Sequence, residues 1–173
     1  SYAAFKATVP AIREYAKGKL IDIGCGDMPY REYVTDQISE YDSFDLERRS
    51  EYVKYIGDIH DMRVIEDESY DSALCLAVLE HVRNPFKAMS EIGRILKKNG
   101  VLALSVPHLS RIHEAPNDYY RYTEFGIRAL MDHAAFDIIS VKAIGGLFTF
   151  LGHQASSVLV SFFWRVPILK WVV

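Results

Sequence analysis

Two glycines one residue apart, Gly24 and Gly26, follow directly on the run Lys19-Leu20-Ile21-Asp22-Ile23. A short apolar run passing into a glycine turn has the pattern of a buried strand whose end lets backbone approach a ligand closely. In an open α/β sheet such a turn lies just beyond the carboxyl end of a strand, where nucleotide-like ligands sit. Carboxylates recur around it. Asp22 lies inside the run and Asp27 follows the turn, while Asp45 stands nineteen residues past Gly26, at the end of a second expected strand. An acid at about that distance commonly accepts hydrogen bonds from ribose hydroxyls. Asp58, after Gly57, ends a third expected strand further along the same edge, within reach of an adenine amino group. Taken singly, each of these acids reads equally well as a helix cap or a solvated turn.

The residues narrow the ligand class. A dinucleotide fingerprint has the form G-x-G-x-x-G, but the chain reads Gly24-Cys25-Gly26-Asp27-Met28-Pro29. Pro29 replaces the third glycine, and Asp27 puts negative charge where a pyrophosphate would lie. No G-K-[ST] follows, so a Walker-type loop is excluded. A cationic or zwitterionic nucleoside suits the acidic turn better, and a tight turn with no ligand is the plain alternative.

The elements that must position these groups alternate between strands and helices. Residues 3–16 are helix-like. Tyr30–Ile38 is expected as the first crossover helix, and strands are expected at Tyr41–Phe44, Tyr52–Ile56 and Ser72–Leu76. The next helix is the best signalled, with Asn84 as N-cap and Pro85 at its first position. Phe86, Met89, Ile92, Ile95 and Leu96 form its apolar stripe, and Lys97, Lys98, Asn99 and Gly100 supply the C-terminal charge and a left-handed stop. A continuous apolar strand, Val101–Val106, ends at Pro107. Thr123 caps a further helix with Ile127, Leu130, Met131 and Ala134 inward, and Phe136–Ala143 is expected as the sixth strand. This alternation predicts a Rossmann-like, doubly wound, mostly parallel sheet with helices on both faces and a C-terminal amphipathic helix.

Composition agrees with one domain. The chain has 173 residues, half of them apolar, and a net charge of −3. That suits a single domain over 1–173, with its core at 18–143 and a C-terminal helical segment at 145–173. No run of Lys and Arg long enough to cover a face appears, which argues against nucleic acid as partner. Cys25 and Cys75 lie in apolar segments and form no C-x-x-C pair, so they read as buried thiols of a reducing compartment. No spacing demands a metal. No leader peptide is read at Ser1 and the residues after it, and the expected location is the cytoplasm, with a peripheral membrane position as the alternative.

The ordered motifs Ile21-Asp22-Ile23-Gly24-Cys25-Gly26, Asp45 and Gly57-Asp58 resemble the cofactor-binding motifs of class I S-adenosylmethionine-dependent methyltransferases. Tyr70-Asp71-Ser72-Ala73-Leu74-Cys75, Val78-Leu79-Glu80-His81-Val82, Asn84-Pro85, Glu91-Ile92, Arg94-Ile95-Leu96-Lys97 and Gly100-Val101-Leu102 are similar to its small-molecule, quinone-biosynthesis-like type 11 branch. The resemblance spans about residues 18–143. It implies that Gly24, Cys25 and Gly26 pass the methionine portion of S-adenosylmethionine, with Asp22 organising the turn or meeting the amino group. It further implies that Asp45, with Leu46 beside it, holds the ribose, that Asp58 and Ile59 meet the adenine, and that Leu76, Ala77 and Val78 wall the sulfonium. Asn99 and Ala135 depart from a common proline and glycine without touching the cofactor positions.

Methyl transfer from a sulfonium is an in-line displacement, which positioning can accelerate on its own. A hydroxyl acceptor also needs a base. The ring-rich segment from Pro107 through Thr123 stands where an acceptor would enter, and long loops at sheet edges are often functional. His113 is the first choice of base, with His81 and His108 as rivals. Tyr119, Tyr120 and Tyr122 are candidates to shape the pocket, Tyr119 also as a catalytic group, and Arg121 to meet a carboxylate or phosphate. From Gly145 onward, Leu151, Ala155, Val158, Leu159, Phe162, Phe163 and Val166 make an apolar stripe. Gly152, His153, Gln154, Arg165 and Pro167 argue against a spanning helix. The stripe therefore packs on the core or lies on a membrane surface through 147–173, with Trp164 and Trp171 at hand. The expected activity is methyl transfer, at oxygen, to a small molecule or a glycan- or lipid-linked acceptor. A catalytically silent S-adenosylmethionine-binding subunit is the alternative, and Pro29 and Asp27 disfavour a nucleotide-dependent oxidoreductase.

Overall fold

A computed structural model describes residues 2–146 and, beyond them, residues 151, 152, 154–156, 158 and 159. Five strands form one sheet: β1 (Gly18–Ile23), β2 (Ile38–Asp45), β3 (Tyr55–Ile56), β4 (Tyr70–Leu76) and β5 (Leu96–Ser105). Their order is β3-β2-β1-β4-β5, and every neighbouring pair is parallel. The chain first builds outward from β1 to β3, then returns to the other side of β1 for β4 and β5. The direction of winding therefore switches between β1 and β4, and open α/β sheets place their ligand crevice at that point. Ile23 pairs with Phe44 on one side and Cys75 on the other, so three strands end side by side at the glycine turn.

Strand alternation divides the interior. Ile21 and Ile23 of β1, with Ala73 and Cys75 of β4, face one cluster, which α2 (Pro85–Ile95) and α3 (Glu124–His133) fill with Ala88, Met89, Ile92, Ile95, Leu130 and Met131. Leu20 and Leu74 face the opposite side, where Ile12 of α1 (Tyr2–Tyr15) and Val34 cover them. Burial on both faces explains why these strands read as continuous apolar runs. Each fully buried Met or Ile on α2 is worth roughly 1.5–3 kcal/mol in removed apolar surface.

The cap at Asn84 forms as its sequence predicts. Its side chain accepts the Lys87 N–H at 3.1 Å, with Pro85 in the first turn. Thr123 likewise accepts from the Gly126 N–H at 3.1 Å. Phe86 leaves the predicted stripe and is exposed, its inward position taken by Pro85 and Ala88.

β2 and β4 start earlier than expected, at Ile38 and Tyr70, and four other elements differ for local reasons. Tyr30–Ile38 is not a crossover helix. Arg31–Tyr33 makes one 3₁₀ turn, Val34 and Gln37 bond three residues back, and Arg13 of α1 claims the Tyr33 carbonyl at 3.2 Å. The third strand shortens to Tyr55–Ile56 because the Ser43 hydroxyl donates to the Tyr52 carbonyl and accepts from the Lys54 N–H, replacing ladder bonds. The fifth begins at Leu96, with the left-handed residue at Asn99 (φ 63°) rather than Gly100, inside an irregular register between Tyr70 and Ser72. Phe136–Ala143 pairs with no strand among the described residues. Its alternation is real but serves packing, for Phe136 and Ile138 lie on the core while Asp137 and Ile139 face outward.

Residues 151, 152, 154–156, 158 and 159 are helical, and Leu151, Val158 and Leu159 are exposed. Phe162, Phe163, Trp164, Val166 and Trp171, with most of the predicted membrane-contact segment 147–173, lie outside the described residues. No helix among the described residues is long and apolar enough to cross a membrane.

Candidate active site

The turn after β1 is built from left-handed backbone. Gly24, Gly26 and Met28 all have positive φ, at 66°, 50° and 53°. Gly24 needs its missing side chain, since a Cβ there would lie 2.4 Å from Val78 Cγ2. A Cβ on Gly26 would meet no described atom within 4 Å, so the backbone there borders open space. Ala77, just past the end of β4, is also left-handed at φ 56°, and its N–H donates to the Ser105 carbonyl at 2.9 Å. Non-glycine residues held at positive φ cluster at ligand sites.

The three strand-end acids sit differently. Asp45 is buried, and its carboxylate accepts from the Gly26 N–H at 2.9 Å and the Glu47 N–H at 3.3 Å. Asp22 is buried beneath the turn and accepts from the Tyr41 hydroxyl. Burial lifts its pKa to about 7, the Tyr41 bond opposing the rise and the Asp45 charge adding to it. Cys25 is buried with Sγ 3.9 Å from Asp45, and burial pushes its thiol up to about 12, so it stays protonated. Asp58 is exposed and engaged with His60, accepting from the backbone N–H at 2.8 Å and bonding the ring at Nδ1, which lowers its pKa. His60 Nε2 in turn accepts the Asn84 N–H at 3.2 Å, tying the β3 end to the start of α2. Ile59 is buried, Leu46 and Ala77 are exposed, and Leu76 is half-buried. Asp22, Gly24, Cys25, Gly26 and Asp45 thus form one connected turn, while Asp58, Ile59, Leu76 and Ala77 flank it along the same edge.

A second group stands beyond Val78. Leu79–His81 makes a 3₁₀ turn, which buries the Glu80 side chain to 1% exposure. The loop from Pro107 to Tyr122 folds over that turn: the Tyr119 and Tyr120 N–H groups donate to the Glu80 carbonyl, and the Tyr122 hydroxyl donates to the Leu79 carbonyl. This closure brings His81 and His113 together as an edge-to-face ring pair, centroids 4.9 Å apart. Each Nε2 lies 4.0 Å from Glu80 Oε1. Burial raises the Glu80 pKa, with His81, His113 and Arg121 opposing. Sequence reading assigns Glu80 no role of its own beyond its place in the Val78–Val82 motif. The signal that marks it is position, since it falls between Leu79 and Val82, both buried.

The other loop candidates part ways. His108 is separate from the pair and bonds the Tyr122 carbonyl through Nδ1 at 2.9 Å. Tyr119 donates its hydroxyl to Asn117 Oδ1 at 2.9 Å, and Arg83 lies over its ring. Arg121 is not available to a carboxylate or phosphate ligand. Its Nε donates to Ser110 O, Nη1 to Asp118 Oδ1 and Tyr120 O, and Nη2 to Asp118 Oδ2 and Arg111 O. These contacts use all five guanidinium donors inside the loop. Arg121 holds the Asp118 carboxyl well below the usual carboxylate range. Asp118, which the sequence did not single out, anchors His113 by accepting its backbone N–H at 2.8 Å.

The family model described as Methyltransferase domain matches residues 21–104, from mid-β1 to the end of β5. Solved structures share the fold at low identity. A Bacillus halodurans protein classed as a methyltransferase superposes with TM-score 0.66 at 18% identity, over 78% of this chain and 69% of its own. A chain of the complex between the Haloferax volcanii Trm112 methyltransferase activator and a methyltransferase gives 0.70 at 17% identity, over 84% and 72%. Haemonchus contortus phosphoethanolamine N-methyltransferase 2, in complex with S-adenosyl-L-methionine, gives 0.66 at 15% identity, over 94% and 45%. No curated protein is significantly similar in sequence. Residues 21–104 thus match a methyltransferase domain, and they sit on the fold of class I S-adenosylmethionine-dependent methyltransferases. The match makes the chain a methyltransferase, with S-adenosylmethionine as its cofactor.

Proposed function

We propose that this methyltransferase carries the methyl group to a hydroxyl oxygen of a small molecule, free or linked to a glycan or lipid. The observation that carries the proposal is the convergence of His81 and His113 on Glu80, which lies two residues beyond Val78, the side chain packed against the Gly24 turn. S-adenosylmethionine supplies an electrophilic methyl on a sulfonium. The residues present fit that group: open space borders Gly26, and the buried Asp45 with the exposed Asp27 and Asp58 along the same edge offset positive charge.

In this reading Asp45 holds the ribose, with Leu46 beside it, and Asp58 and Ile59 meet the adenine. Gly24, Cys25 and Gly26 pass the methionine portion above Asp22, while Leu76 and Ala77 line the sulfonium. The acceptor enters under the 107–122 loop. As the oxygen–carbon bond forms and the carbon–sulfur bond breaks, the hydroxyl proton passes to His113 Nε2. That nitrogen carries the lone pair because Nδ1 donates to the Arg111 carbonyl at 3.1 Å. Glu80 stabilises the imidazolium that results, and His81 and Tyr119 bound the acceptor. The whole chain acts as one domain in the cytoplasm or at a membrane surface.

An acceptor screen with methyl-labelled S-adenosylmethionine tests the reading. Label should enter hydroxyl compounds and disappear with His113→Ala at unchanged affinity for S-adenosylhomocysteine. Transfer to amines alone, or full activity in His113→Ala, refutes it.

A further inference from the structure

We propose that Glu80, His81 and His113 form a binding site for a divalent transition-metal ion of the zinc class. One ligand atom from each residue lies within 4.8 Å of the others. The Glu80 Oε1 to Nε2 distances of 4.0 Å leave a gap that an ion spans once the three groups contract by a few tenths of an ångström each.

The tautomers point the same way. His81 Nδ1 lies 2.6 Å from the Asn117 carbonyl and His113 Nδ1 lies 3.1 Å from the Arg111 carbonyl. His113 Nδ1 also has Asp118 Oδ2 at 3.5 Å and Arg121 Nη2 at 3.4 Å, but both Nη2 hydrogens already serve Asp118 and Arg111. Carbonyl and carboxylate oxygens only accept, so both Nδ1 atoms carry hydrogen, and both Nε2 lone pairs turn toward Glu80. Metal-ligating histidines characteristically donate their other ring N–H in this way, which fixes ring and tautomer. Three acceptors thus converge with no donor between them.

Glu80 gives the independent observation. Its side chain is 1% exposed, and Oε2 has no hydrogen-bond partner among the described residues. A buried carboxylate oxygen left unpaired is costly, and a bound cation removes that cost. Two imidazoles and one carboxylate with the remaining positions open suit zinc or a non-haem first-row metal rather than magnesium or calcium, which favour oxygen ligands. Glu114, whose Oε2 stands 4.0 Å from His81 Nε2 on the exposed side, is placed to swing in as a further ligand.

The role of the ion, though not its binding, rests on the methyl-transfer reading. An acceptor oxygen that reaches His113 Nε2 also reaches an ion at this point. With an ion in place, the histidine lone pairs would serve as ligands, so His113 would no longer take the proton. The ion would lower the pKa of the acceptor hydroxyl, whose proton would leave to solvent.

The test uses the full chain, stripped with chelator and titrated calorimetrically with Zn²⁺ in the absence of cofactor and acceptor. One equivalent should bind, and Glu80→Gln and His113→Ala should each weaken it by at least about tenfold. Co²⁺ should give ligand-field absorption that both substitutions abolish. His113 is 41% exposed, so its variant should keep the melting temperature even if loss of Glu80 disturbs the turn. Absence of stoichiometric binding, or binding unchanged in His113→Ala, overturns the site. Titration of the same protein with S-adenosylhomocysteine separates that result from failure of the methyltransferase reading, which would abolish the nucleoside signal instead.

Discussion

The Gly26 N–H donates to Asp45 Oδ2 at 2.9 Å, joining the turn after β1 to the end of β2 through one buried carboxylate. The bond fixes the distance between two parts of the proposed cofactor site and uses one lone pair of Oδ2. Oδ1 receives only the longer Glu47 bond at 3.3 Å, which leaves it the better acceptor for ribose hydroxyls. Asp45→Ala should weaken S-adenosylhomocysteine binding by about 1–3 kcal/mol, the usual consequence of removing a buried hydrogen-bonding partner. Isothermal titration measures it, and unchanged affinity would remove the ribose assignment.

The two glycines should respond differently to alanine. Both pay for left-handed backbone, roughly 1–2 kcal/mol for a residue with a Cβ. Gly24→Ala additionally drives its Cβ into Val78 at 2.4 Å, and overpacking adds about 1–3 kcal/mol. Gly26→Ala meets open space, so its stability loss should be the smaller and its effect on cofactor affinity the larger. Urea melts and calorimetry on both variants check this. Val78→Ala should partly restore Gly24→Ala and do nothing for Gly26→Ala, a coupling that a double-mutant cycle reads directly.

Asp22 should write a pH dependence into stability. Folded, it keeps its proton until about pH 7, whereas the unfolded chain releases it near 3.8. Between those values the folded state binds the extra proton, so stability is fully present below about pH 4 and is lost as pH rises through 7. The slope approaches about 1.4 kcal/mol per pH unit at most for one proton. Glu80, also raised by burial, adds in the same direction. Asp22→Asn should flatten melting temperature against pH between about 5 and 7. A profile identical to the parent would mean that Asp22 is ionised throughout.

What the sequence revealed follows the range of the forces involved. Asn84-Pro85 was legible because a cap and its Lys87 partner lie three residues apart. The β1–Gly24–Gly26 turn was legible because apolar run and glycines adjoin. Phe136–Ala143 misled because its alternation reports burial of Phe136 and Ile138, while strand pairing depends on a partner elsewhere in the chain. Tyr30–Ile38 failed as a helix because Arg13, from an earlier element, takes the Tyr33 carbonyl. The Glu80–His81–His113 group was half legible: each histidine stood out as a ring near an expected strand end, yet positions 80 and 113 meet only because Tyr119 and Tyr120 bond the Glu80 carbonyl.

That closure depends on Arg121, which yields the last prediction. The guanidinium spends five donors on four backbone or carboxylate partners along the loop: Ser110, Arg111, Asp118 and Tyr120. Lysine keeps the charge but offers a single ammonium, unable to reproduce a planar fork that serves Asp118 in bidentate fashion. Arg121→Lys should therefore release Asp118, and with it the bond that holds the His113 backbone. The sheet and the Gly24–Gly26 turn take no bond from Arg121, so cofactor affinity should persist while turnover falls and residues 108–121 become protease-sensitive. Limited proteolysis with mass mapping, run beside calorimetry, decides the matter. A variant that retains both turnover and protease resistance would show that the loop keeps its shape by packing of Tyr119, Tyr120 and Tyr122 alone.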